Sequence, residues 1–90
     1  MKTGIELVAQ ERQEQIEKHG ITIEKDIEKN DGDQLRYGAM ALLSGIEEDF
    51  PSEWETSLWK KLESKTEIEQ LTIAGAFICA EIDRLQALKK

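Results

Sequence analysis

Ninety residues make a single domain, residues 1–90, near the lower end of lengths that fold without a disulfide or a structural metal. Nineteen acidic residues against twelve basic ones leave a net charge of −7, which repels bare phosphate backbones, and no basic patch interleaved with aromatics offsets it, so direct nucleic-acid binding is not expected. Cys79 is the only cysteine, no basic-then-apolar leader opens the chain, and no apolar run approaches the roughly 20 residues that span a bilayer, so the expectation is a cytoplasmic protein that is neither exported nor membrane-inserted.

The first expected helix runs from Gly4 to about Lys18, with Ile5, Val8, Ala9 and Ile16 at helical spacing; Thr3 and Glu6 form a capping box and Gly20 a left-handed C-cap. Its opposite face is polar, with Glu11, Arg12, Glu14, Gln15, Glu17 and Lys18. Residues 21–33 read as a loop with one helical turn near Glu24 to Glu28, closing in the turn-forming Asn30, Asp31 and Gly32. Asp31 or Asp33 then caps a second helix, from Gln34 to about Asp49, which is nearly apolar all round between Gly38 and Ile46 and is stopped by Pro51. Phe50 to Thr66, with Trp54 and Trp59 among charged residues, is the least regular stretch. The third helix spans about Thr66 to Ala87 and has no polar side chain between Ile73 and Ala80.

The fold class is therefore all-α, with three main helices. A lone chain of this size cannot hide that much apolar surface on helices two and three, so a homo-dimer or higher homo-oligomeric helical bundle is expected. The alternative is that the Trp-containing connection folds back over the helices as a lid.

Glu81 directly follows the apolar run of the third helix and sits at the margin of buried surface. A carboxylate there needs an arginine, a hydrogen-bond donor or a metal, and Arg84 three residues on offers an intrahelical ion pair. Asp83 points to the opposite side, because two residues turn a helix by about 200°. Glu11, Glu14 and Gln15 share neighbouring turns of the first helix, as either a solvated face or carboxylates bridged by a cation; Arg12 is placed to pair with Glu81 or to hold a phosphate. His19 has no second ligand at metal spacing, and the two tryptophans suit core or interface anchors better than base-stacking platforms. No phosphate-binding glycine loop, Ser/His/Asp arrangement or paired-histidine zinc motif is present.

Three segments together resemble the dATP/dGTP diphosphohydrolase N-terminal family of small bacterial and bacteriophage proteins, itself similar to the MazG-type all-helical nucleotide pyrophosphohydrolases. They are Glu11-Arg12-Gln13-Glu14-Gln15-Ile16-Glu17-Lys18 with Gly20, Thr22, Glu24 and Asp26 after it; the pair Trp59-Lys60; and Ala74-Gly75-Ala76-Phe77-Ile78-Cys79-Ala80-Glu81-Ile82-Asp83-Arg84-Leu85. Where such proteins often carry a His-Asp-Asp-x-His-like string, this chain has Lys25-Asp26-Ile27-Glu28-Lys29. The glutamate motif of the MazG-type enzymes, two adjacent glutamates and a third three residues later, is also missing.

The resemblance implies hydrolysis of a nucleoside triphosphate to its monophosphate and pyrophosphate by water activated on magnesium, or on manganese in its place. It implies Glu11 and Glu81 as catalytic carboxylates, with Asp26 joining them as metal ligands. Arg12 and Lys60 would neutralise phosphate charge, and Gln15 would orient a water or the base. The rival expectation is a non-enzymatic helical interaction module of phage or mobile-element origin, working through the apolar central helices; metal dependence separates the two.

Overall fold

The computed structural model describes residues 1–19, 22–29, 33–52 and 54–89, apart from the side chains of His19, Asp26 and Lys29. The expected Gly20 C-cap, the Asn30–Gly32 turn and the side chains of His19 and Asp26 lie outside the described residues. Among the described residues five α-helices follow one another: α1 (Gly4–His19), α2 (Ile23–Lys29), α3 (Gln34–Ser44), α4 (Thr56–Glu63) and α5 (Glu67–Leu88), with a 3-10 turn at Glu47–Asp49 between α3 and α4. The expected all-α class stands. The helix count does not, because α2 is a full short helix and the Trp-rich connection holds α4.

Side-chain caps explain several of the helix starts. At α1 the Thr3 amide donates to Glu6 Oε1 (2.9 Å) and the Glu6 amide to Thr3 Oγ1 (3.3 Å), the expected capping box. Thr66 and Glu69 make the same reciprocal pair at α5, at 3.2 and 3.1 Å. In both boxes bonding to the threonine holds the glutamate pKa below its ordinary value. Thr22 Oγ1 accepts from the Lys25 amide (3.2 Å) at the start of α2.

The second expected helix ends earlier than read. Gly45 takes up a left-handed conformation (φ 74°) and its amide donates to the Ala41 carbonyl, so α3 stops at Ser44 and the chain has left the helix before Pro51 is reached. The freed residues make the 3-10 turn and bring Phe50 and Trp54 back over the core.

The core is built where α3, α4 and α5 meet: Leu35, Ala39, Ala41 and Leu42 from α3, Trp59 and Leu62 from α4, and Ile73, Ala74, Phe77 and Ala80 from α5. Phe50, Trp54 and Leu58 close its margin, with ring centroids 5.4 Å apart for Phe50–Trp54 and Phe50–Trp59 and 5.3 Å for Trp54–Phe77. Gly38 is required beneath this cover: a Cβ there would lie 2.6 Å from the Trp54 ring. Gln70 Nε2 donates to the carbonyls of Leu62 (3.1 Å) and Glu63 (3.3 Å), fastening the end of α4 to α5. The tryptophan connection thus folds back over the helices, the alternative noted above. No helix among the described residues is long and apolar enough to cross a membrane.

Candidate functional site

Helix α5 is the common wall. α3 packs along one flank of it and α1 along another, and the 200° between Glu81 and Asp83 sends one residue to each neighbour. Glu81, buried, accepts from Arg84 Nε at Oε1 (2.8 Å) and from Arg84 Nη2 (3.1 Å) and Arg36 Nε (3.0 Å) at Oε2. The hydrogen bonds from Arg84, ahead of the opposing effect of burial and the further bond from Arg36, hold the Glu81 carboxyl below its ordinary 4.5. Both oxygens are therefore engaged by guanidinium groups. The Arg84 side chain is itself buried, whereas that of Arg36 is 56% exposed and also lies 3.8 Å from Asp33.

On the other flank, Arg12 Nη2 reaches Asp83 Oδ2 at 3.4 Å. Arg12 thus pairs with Asp83 and not with Glu81, because Asp83 is the acidic residue of α5 turned toward α1.

The face that α1 buries differs from the apolar stripe read from its sequence. Val8 fits where Gly75 leaves room, since a Cβ on Gly75 would lie 2.9 Å from Val8 Cγ2. That close approach rotates Arg12 and Gln15 inward, while Ile5 is left 85% exposed and Ala9 exposed. Gln15 is 2% exposed, and its Oε1 meets no donor among the described residues. Uncompensated burial of an amide oxygen costs about 1–3 kcal/mol, so the inward turn of Gln15 is unfavourable unless a water or ligand meets its Oε1.

Glu11 and Glu14, both half-buried, border an open cleft of about 240 Å³ between α1 and the first turns of α5, shared with Lys65, Glu69 and Thr72. The structure therefore sets Glu11 in this cleft and Glu81 in the arginine clamp facing α3. Asp26 falls on α2, which packs against α5, and Lys60 is exposed on α4 beside the buried Trp59. Among the described residues no three His, Cys, Asp or Glu side chains are gathered as a metal site. Arg36 is not among the residues that the sequence pattern singles out. Its signal was an arginine opening a helix otherwise apolar on most sides, which places it where the α3–α5 contact reaches solvent.

No family model matches the chain, and neither a curated protein nor a solved structure matches it.

Proposed function

We propose that the protein is a metal-dependent nucleoside triphosphate pyrophosphohydrolase of MazG-like type, acting on (deoxy)nucleotides as a homo-dimer or higher homo-oligomer. The observation that carries this reading is the set of polar side chains buried on α1 and α5: Arg12, Gln15, Glu81 and Arg84. A chain of this length has little core to spare; Glu81, Arg84 and Arg12 have partners within the fold, whereas the Oε1 of Gln15 has no donor among the described residues, and a bound water or ligand would offset the cost of burying it. These four lie in two of the three segments that carry the family resemblance.

The donor chemistry suits a hard divalent cation: Glu11, Asp26 and Glu81 are carboxylates, and the buried Oε1 of Gln15 is an acceptor fit to orient a bound water. Glu11 lies in the α1–α5 cleft and Glu81 in the arginine clamp on the other flank of α5, so they would hold one magnesium or manganese ion only if Glu81 gives up arginine contacts; the ion would supply a Lewis acid and lower the pKa of the attacking water. Arg36 joins Arg12 and Lys60 as a group that would neutralise phosphate charge. With its side chain half in solvent, Arg36 is the guanidinium a triphosphate meets first. A phosphate that draws Arg36 to itself leaves Glu81 its two bonds from the buried Arg84, which keep that carboxyl ionised.

Incubation with each deoxynucleoside triphosphate and magnesium, followed by separation of products, tests the reading. Monophosphate and pyrophosphate in equal amounts, lost in Glu11→Gln and Glu81→Gln, is the expected result. Turnover undiminished by both substitutions removes the assigned roles, and no hydrolysis of any triphosphate returns the chain to the non-enzymatic interaction module.

A further inference from the structure

We infer that the cleft at the first turn of α3 seats the nucleobase, and that it takes a base with an exocyclic amino group in preference to thymine. This rests on the triphosphate reading and extends it from the phosphates to the base. Tyr37 stands four residues after Asp33 and three after Gln34, so these side chains share one face at the start of the helix. The left-handed stop at Gly45 turns the chain back, and the stretch from Glu48 to Ser52 lines the opposite wall. The cleft between them measures about 430 Å³, within the range of about 300–1,000 Å³ common to small-molecule sites.

Three properties of the walls select the ligand. Tyr37, 46% exposed, and the half-buried Phe50 offer ring surface beside Pro51, on which a flat aromatic base stacks. The α1–α5 cleft is smaller, about 240 Å³, and has no ring in its lining. The charged groups of the α3 cleft are the carboxylates of Asp33, Glu48 and Asp49, which accept hydrogen bonds and donate none, so they pair with an amino group and oppose a carbonyl oxygen. Asp49 already accepts from Ser44 Oγ (3.3 Å), which leaves Asp33 and Glu48 to read the base. Finally, Arg36 Nε lies 3.8 Å from Asp33 Oδ1, so the guanidinium that meets the phosphates stands at the rim of the cleft. The same carboxylates repel a phosphate tail, which turns the tail toward Arg36 and the neutral base inward.

Cytosine and thymine present an amino group and a carbonyl oxygen at the same ring position. Nitrogen-15 NMR titration of the full chain with dCMP and with dTMP, without metal, therefore tests the inference on two ligands of equal charge. The expected result is dCMP shifting the amide signals of Gln34, Tyr37 and Asp49 and binding at least about 10-fold more tightly than dTMP. Tyr37→Ala should weaken dCMP about 10-fold or more by loss of stacking, with unchanged helical circular dichroism because the ring is half in solvent. Asp33→Asn with Glu48→Gln should bring the two nucleotides within about threefold, because an amide side chain both donates and accepts. Shifts centred elsewhere, dTMP bound as tightly as dCMP, or no shift at about 10 mM of either nucleotide, far above millimolar affinity, overturns the inference. Triphosphate hydrolysis that persists in that case keeps the pyrophosphohydrolase reading, and base binding in a chain that hydrolyses nothing removes that reading alone.

Discussion

Replacing Glu81 by Gln keeps the shape of the side chain and removes its charge. Three charge-assisted hydrogen bonds converge on this carboxylate, at 2.8, 3.0 and 3.1 Å. The bond from Arg36 is shared with solvent and carries under about 1 kcal/mol. Both bonds from Arg84 are buried, and a buried guanidinium stripped of its counter-ion raises the total cost to about 3 kcal/mol at neutral pH. At about 4–8 °C per kcal/mol for a domain of this size, the thermal midpoint should fall by roughly 12–24 °C.

The pH dependence gives the sign. The folded-state pKa of Glu81 lies below 4.5, so its contribution is fully present above that value and is lost as pH falls through the folded pKa. Midpoints of the parent and of Glu81→Gln, followed by circular dichroism, should therefore be far apart at neutral pH and converge in acid. A loss of less than about 4 °C, or a gap that does not narrow below pH 4.5, would refute the claim that the buried Arg84–Glu81 pair stabilises the fold.

Three further substitutions probe other parts of the fold. Gly38→Ala puts a methyl group against the Trp54 ring, so it should cost about 1–3 kcal/mol in urea unfolding and shift tryptophan emission to the red; unchanged emission would mean that Trp54 does not cover this glycine. Thr66→Ala removes the cap of α5 and should cost about 1 kcal/mol, with no cost if that helix start is held by packing alone. Gln15→Leu should raise stability by about 1 kcal/mol while abolishing nucleotide hydrolysis; a lower midpoint would show that the fold itself uses the buried amide.

Much of this architecture is legible in the residues because it is written locally. Thr3 and Glu6 announce the start of α1 three residues apart, and the apolar run of the last helix announces α5. The end of α3 is not legible locally because Gly45 resembles the small packing residues around it, and only its left-handed backbone distinguishes it as a stop. Helix α4 was hidden for a related reason: Trp59 and Leu62 face the core, but the charged residues between them mask the period until the packing partner is known. The inward turn of Gln15 and Arg12 was beyond local reading altogether. It depends on Gly75, sixty residues away from Gln15, admitting Val8 so closely that α1 lies on its more polar side. Likewise the Glu81–Arg84 pair follows from helical spacing, whereas Arg36 joins it only through the register of α3 on α5.

The central claim, that the buried polar side chains of α1 and α5 serve a triphosphate and a divalent cation, is tested most directly by thermal unfolding. The midpoint is followed with and without millimolar magnesium or manganese, each crossed with a panel of deoxynucleoside triphosphates and a non-hydrolysable analogue. A ligand that binds the folded chain alone stabilises it by mass action, by about 2.7 kcal/mol at a hundred times its dissociation constant, and so raises its midpoint. The account predicts a rise that needs metal and triphosphate together and favours particular bases. No rise with any combination would contradict it.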